Sequence, residues 1–276
     1  NKNKYIMAVS RAFAISAVAR GICSGCKVDS VLILEGNQGA GKSTAMRELC
    51  GADFFGDALP PMHSKDASDY IRGKWLIELA ELSNINKAEV EIAKAFISRN
   101  EERFRPAYGR NEIVYPRSCV FVGTTNKMDY LRDSTGNRRF WPIEVGEINL
   151  ELIREEREML FGEAVLAMQS GENWWLPREI EELAQQQQEQ RLAVDEWQGV
   201  ISEYCSGQRD VNISDIAYRC LMIESAAVNR QTQNRISDIL ASLNYKRNGK
   251  FSGGEHRGKA RFTLHGQLFQ DQLFAS

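Results

Sequence analysis

The stretch "VLILEGNQGAGKST", Val31 to Thr44, constrains this chain more than any other. The compact run Val31–Glu35, bounded by Asp29-Ser30 and Gly36, reads as a buried strand of a parallel sheet. The loop Gly36–Ser43 matches G-x-x-x-x-G-K-[ST] and leads directly into "TAMRELC", a helix-forming run. Strand, glycine loop and helix in that order make a phosphate cradle. The glycines let the backbone curl until successive N–H groups point inward at a helix N-terminus. Gly36, Asn37, Gln38, Gly39, Ala40, Gly41, Lys42, Ser43 and Thr44 are therefore assigned to the nucleotide. Lys42 is expected to reach the β- and γ-phosphates, and the Ser43 hydroxyl to help hold Mg²⁺. ATP and Mg²⁺ are the expected cofactors.

Two later runs resemble the first strand, "WLIEL" (Trp75 to Leu79) and "CVFVGTT" (Cys119 to Thr125), with the helical "KAEVEIAKAFI" between them. Strands alternating with helices predict an α/β layer fold. A nucleotide hydrolase also needs acid at the end of a neighbouring strand, and "WLIELAEL" offers Glu78 and Glu81. Glu81, at the end of the run, is the first choice for the base that polarises water and joins Ser43 at Mg²⁺. Glu78, inside the run, is its partner at the metal, although one of the two acids can equally be structural. "CVFVGTTN" ends in Asn126, whose amide can bond a γ-phosphate or orient water without adding negative charge. Alone, such an Asn is more often a turn former or helix cap.

At 276 residues the chain can form one large domain and a small one. Its 43% hydrophobic and 26% charged content are those of a soluble globular protein, and a net charge of −2 leaves any nucleic-acid contact to local patches. "CSGC" (Cys23 to Cys26) is the only close cysteine pair, so a zinc ribbon, which needs two, is not expected. "AFAISAVA", flanked by Arg11 and Arg20, is too short for a membrane span, and no signal peptide is visible. A cytoplasmic protein without a membrane partner is expected.

The expected organisation is an N-terminal helical segment over 1–24, a P-loop domain over 25–180, a linker over 181–194 and a small domain over 195–276. The linker reading rests on "AQQQQEQR", which can equally be exposed helix. Beyond it, three short helices and a hairpin around a Gly-rich turn describe a winged helix-turn-helix. Lys246, Arg247 and Lys250, with Arg257, Lys259 and Arg261, fall in that hairpin and are opposed there only by Glu255. They are candidate DNA contacts; a solvated hairpin of a protein-binding module is the alternative.

The order "GNQGAGKS", "WLIELAEL", "RFRPAYGR", "FVGTTN", "YLRDSTGNRRFWPIEV" resembles the virulence-associated protein E family of phages and mobile elements, superfamily 3-like helicases of the AAA+ class. The resemblance runs from about Gly21 to Pro177. It implies an AAA+ core, an ATP-driven homo-oligomeric ring, expected as a hexamer, that translocates on DNA, and often a primase joined in the same polypeptide. It also implies a hairpin before the Asn-bearing strand that grips single-stranded DNA in the ring pore. Here that span is Arg103 to Arg117, with Pro106 and Gly109 for a turn and Tyr108 for stacking. Arg103, Arg105, Arg110 and Arg117 are available for phosphates. Arg105, Tyr108 and Arg110 are the DNA-contact candidates, and Arg103 is read as structural.

Arg138 and Arg139 stand side by side before the strand "FWPIEV". In superfamily 3 rings an arginine at this junction comes from the adjacent subunit, so one of the two is expected to be a finger in trans and the other its brace. The resulting expectation is an ATP-dependent replicative DNA helicase. The alternative is a P-loop regulator or remodelling switch whose winged helix binds DNA or protein without unwinding.

Overall fold

The computed structural model describes residues 2–80, 87–105, 110–131, 136–193 and 195–265. The chain divides into two compact units, 1–193 and 194–276. In the first, five strands form one parallel sheet: β1 (Val31–Glu35), β2 (Phe55–Gly56), β3 (Leu76–Leu79), β6 (Val120–Thr125) and β7 (Phe140–Glu144), in the order β2-β3-β6-β1-β7. Four of them are the apolar runs read from the sequence. The two-residue β2 is too short to carry a periodic signal.

Alternation along β1 sorts the sheet into two faces. Leu32 and Leu34 join a core with Val120, Val122 and Trp141, covered by α1 (Lys2–Ile22, through Tyr5, Val9 and Phe13) and α6 (Arg178–Glu189, through Ile180 and Ala184). Val31 and Ile33 face the other way with Ile77, Phe121 and Phe140, under α3 (Lys65–Tyr70, through Ala67) and α4 (Lys87–Ile97, through Ala93, Phe96 and Ile97). A strand buried on both faces is apolar at nearly every position except where it meets a site, which is why these runs lack the polar alternation of a surface sheet. On the first side α5 (Leu150–Gln169) packs its Ala164 and Ala167 against Ile15 and Val18 of α1. Asn149 starts α5 by accepting the Leu152 N–H at 3.1 Å.

The eight-residue apolar run lies in the 21-residue α1, within the expected N-terminal helical segment; the helix is long and apolar enough by composition to cross a membrane, but more than half of its most apolar 18-residue stretch is buried in the domain. One expectation changes here. The glutamine tract is not a linker. It lies in α6, where Gln188 Nε2 donates to the Phe140 carbonyl at 2.8 Å, and the division between units follows it.

Between α4 and β6, β4 (Glu101–Phe104) and β5 (Ile113–Pro116) pair as an antiparallel hairpin. Its base rests on a buried ionic knot. Arg117 is fully buried, its guanidinium against the rings of Phe96 (4.7 Å) and Phe121 (5.1 Å), and it pairs with the equally buried Glu102. Glu102 also accepts from Ser68 Oγ (2.6 Å) and Arg99 (3.2 Å). Arg117 is thus part of the interior and not available for phosphates, because leaving the knot would strand the Glu102 charge.

The second unit has its own core, built from Ile201, Cys205, Val211, Ile216, Ile236, Ile239, Leu240, Tyr245 and Phe262. Helix α7 (Gln198–Cys205) is followed by the short β8 (Asp210–Val211), then α8 (Ile213–Asp215), which continues as a π-helical turn to Cys220. Helix α9 (Arg230–Ser242) leads into β9 (Tyr245–Lys250) and β10 (Ala260–Leu264). The three strands form an antiparallel sheet in the order β8-β10-β9.

Candidate functional site

Parallel register decides what shares an edge of the sheet. Glu35 lies opposite Thr125, and Leu79 opposite Gly123, so β1, β3 and β6 end together. The glycine loop leaves β1 at this edge, with the Gly36 N–H donating to the Thr125 carbonyl at 3.2 Å. Gly39 and Gly41 both sit at φ 81°, a left-handed conformation with nothing within 4 Å of where a Cβ would be. Helix α2 (Lys42–Cys50) starts at the loop's end, and no side chain caps it, so its first N–H groups remain for a ligand. Lys42 is 8% exposed and its ammonium donates to the carbonyls of Gly36 and Asn37, both at 2.8 Å. Ser43 and Thr44 are exposed beside it.

Glu78 stands at the centre of this edge. It is 4% exposed, and its Oε1 accepts from both Ser43 Oγ and Thr124 Oγ1 at 2.6 Å. The sequence reading put Ser43 with Glu81 at the metal and Glu78 as Glu81's partner there, and it missed Thr124, for which the doubled threonine closing a buried strand was the available signal. Thr124→Val keeps the shape and removes one donor from a buried carboxylate. It is expected to cost about 1–3 kcal/mol in urea unfolding and to weaken binding of a fluorescent ATP analogue. Glu81 lies outside the described residues. Asn126 follows β6 directly and is exposed at the same edge.

A second buried carboxylate stands immediately before the loop. Glu35 is completely buried and accepts from Arg191 Nε (2.6 Å) and Nη2 (2.7 Å) and from the Tyr130 hydroxyl (2.8 Å). Burial works against the Arg191 charge, but the Glu35 hydrogen bonds and charge outweigh it and raise its pKa. Burial, then the Glu35 charge, raises the Tyr130 pKa and keeps the phenol a donor. The backbone is tied in parallel: Leu131 N–H donates to the Arg191 carbonyl (3.0 Å), and Ala193 N–H to that of Leu131 (2.9 Å). The loop base, the segment after Asn126 and the end of α6 are thereby joined. None of these three residues was singled out from the sequence, where the only sign was an acid ending an otherwise apolar strand.

Arg138 and Arg139 occupy the opposite edge, in a 3₁₀ turn (Asn137–Arg139) that enters β7. Phe140 pairs with Val31 and Glu144 with Glu35, so roughly 13 Å of strand separates the turn from the level of the glycine loop. The two arginines differ. Arg139 is held by Ser98 Oγ (2.9 Å) and the Gly136 carbonyl (3.3 Å). Arg138 is exposed and has no hydrogen bond or ion pair among the described residues. Both line a cleft of about 1090 Å³ with Asn137, Trp175 and Glu181.

In the hairpin, Arg105 and Arg110 are exposed, and Tyr108 lies outside the described residues. Arg103 is engaged with Glu101 at 2.9 Å. In the second unit Lys246, Arg247 and Lys250 are all exposed on β9.

The sequence matches the virulence-associated protein E-like domain over residues 1–193, the whole of the first unit. The chain belongs to this family. The virulence-associated protein E-like domain therefore comprises the five-stranded sheet, both of its helical layers and the β4–β5 hairpin, and the resemblance read from the motifs is shown. Similar solved structures include the apo C-terminal region of NrS-1 (305–718), at 15% identity and TM-score 0.48, covering 93% of this chain and 71% of that one. Its A form gives 11% identity and TM-score 0.48, over 96% and 75% of the two chains. A comparison with curated proteins found no match.

Proposed function

We propose that this virulence-associated protein E-like chain is the motor part of an ATP-driven DNA helicase, replicative in a phage or mobile element and working in the cytoplasm as a ring of identical subunits. On this reading the first unit is a P-loop core of the AAA+, superfamily 3-like class and the second a winged helix. The observation that carries it is the grouping of Lys42, Ser43, Glu78 and Asn126 at one edge of the sheet, with an exposed arginine at the other.

The residues at the loop fit Mg²⁺-ATP. The open space at Gly39 and Gly41 and the uncapped start of α2 suit phosphate oxygens, and a hydroxyl beside a carboxylate suits a hard cation. The backbone N–H groups and Lys42 bind the β- and γ-phosphates, for which Lys42 exchanges its two carbonyl partners. Ser43 and Glu78 would hold Mg²⁺, with Glu81 as a further ligand; bound there, the ion neutralises charge developing on the transferred phosphoryl group. Glu81 accepts the proton of the attacking water, and Asn126 orients that water or bonds a γ-phosphate oxygen. Arg138 lies too far along the strand to serve its own loop and acts on the neighbouring subunit's. The hairpin, through Arg105, Tyr108 and Arg110, contacts single-stranded DNA, and Lys246, Arg247 and Lys250 contact DNA phosphates.

Lys42→Ala is expected to abolish nucleotide binding, and Glu81→Gln to retain binding but lose hydrolysis. Both should stop strand separation of a forked duplex, and Arg110→Ala should reduce DNA-stimulated hydrolysis. Unimpaired turnover by Lys42→Ala would overturn the nucleotide site. Hydrolysis without any strand separation by the unsubstituted chain would point to a switch instead of a motor.

A further inference from the structure

The second unit concentrates positive charge. Between residues 230 and 261 there are eight Lys and Arg against two acids, Asp238 and Glu255, in a chain whose net charge is −2. Several of these cations are already engaged. Arg235 binds Asp195 (2.8 Å) and lies over Trp197, Lys259 reaches Asp215 (3.3 Å), and Arg261 donates to the Asn248 carbonyl (3.1 Å). Lys246, Arg247, Lys250 and Arg257 are exposed with no hydrogen bond or ion pair from their side chains among the described residues.

Helix α9 adds a different chemistry. It buries Ile236, Ile239 and Leu240, and at 3.6 residues per turn Arg230, Gln231 and Asn234 fall on the opposite, exposed face, with Gln233 exposed beside them. None of these four side chains makes a hydrogen bond among the described residues. Asp238, the one acid on that face, comes a turn later and has an interaction of its own. A merely solvated helix face gains from opposite charges four residues apart. Arg230 instead faces Asn234, a poor helix former. Asn229 fixes the start of α9, accepting from Thr232 N–H at 2.9 Å. Asn244, left-handed at φ 64°, turns the chain straight from α9 into β9, so the amide face is followed at once by Lys246 and Arg247.

We infer that α9 reads base edges in the major groove of duplex DNA, with Gln231 and Asn234 recognising adenine, Arg230 recognising guanine, and the β9 cations holding the flanking phosphates. Carboxamides match the N6 and N7 of adenine bidentately, a guanidinium matches the O6 and N7 of guanine, and the first turns of a groove helix are the ones that reach base edges. The inference rests on the winged-helix reading and extends it from backbone attachment to recognition of a sequence, which gives the motor a duplex address separate from its single-strand track.

The test is selection of the full chain on a randomised duplex library without nucleotide, then titration of the selected duplex, a scrambled duplex and the selected single strand. A short motif with at least one fixed A·T pair is expected. Asn234→Ala and Gln231→Ala should each lower the preference for selected over scrambled duplex by about 5- to 150-fold while leaving the scrambled affinity in place. Lys246→Ala and Arg247→Ala should weaken both duplexes alike and each reduce the salt slope by about one. An unenriched library, a motif unaffected by Asn234→Ala and Gln231→Ala, or a preference for the single strand would overturn the inference. The helicase reading is judged separately, since Asn234→Ala should hydrolyse ATP and separate an unselected fork at the unsubstituted rate.

Discussion

Arg138→Ala is expected to bind nucleotide normally and lose hydrolysis by about 10³–10⁵-fold, the size of an arginine finger's contribution. Its neighbour should behave differently. Arg139→Ala removes bonds to Ser98 Oγ and the Gly136 carbonyl that shape the turn, so it should cost about 1 kcal/mol of stability and a modest part of the activity. The asymmetry follows from partners: a guanidinium already bonded must break those bonds before it can meet a phosphate, whereas an exposed one need not. Action across subunits has its own test. A subunit with Lys42→Ala offers an intact Arg138, and one with Arg138→Ala offers an intact loop, so a mixture should recover part of the hydrolysis that each lacks alone. Absence of recovery at every mixing ratio would count against a finger in trans.

Arg191→Met is expected to destabilise the first unit by about 3–5 kcal/mol, because it leaves the Glu35 carboxylate buried without its cation. Urea unfolding of the whole chain, followed by a probe in the first unit, measures it. Pairing it with Glu35→Gln removes the stranded charge and should restore a large part of the loss. A double variant no more stable than Arg191→Met would mean that the guanidinium matters through its packing. Glu35 immediately precedes Gly36, so Arg191→Met should also loosen the glycine loop. Nucleotide affinity is then expected to fall more than in Thr124→Val, whose change lies beside Glu78.

Much of the first unit was legible in advance. "VLILE", "WLIEL", "CVFVGTT" and "FWPIEV" are strands because a parallel sheet covered on both faces selects unbroken apolar runs, and that signal is complete within five or six residues. The glycine loop was equally readable, since positive φ at Gly39 and Gly41 is a local steric matter. Other features were ambiguous over the same range. The glutamine tract carries an exposed-helix composition that a linker shares, and only its contact with β7 decides for helix. In "RFRPAYGRNEIVYPR" the arginines look alike in the sequence, yet Arg117 is buried against Phe96 and Phe121 while Arg110 is exposed.

The sequence by itself determined four of the five sheet strands, their order and the loop between β1 and α2, because backbone sterics and side-chain periodicity act over a few residues. It also supplied the acid, the amide and the arginine pair as chemical types. Only the tertiary structure decided which of them are engaged. Glu35 meets Arg191 from 156 positions away, Thr124 shares Glu78 with Ser43, and Arg139 is tied down while Arg138 is not. The free energy of a charged group is set by what surrounds it after folding: buried, it must be paired, and exposed, it stays available. That surrounding is assembled from distant parts of the chain, so no window of sequence contains it.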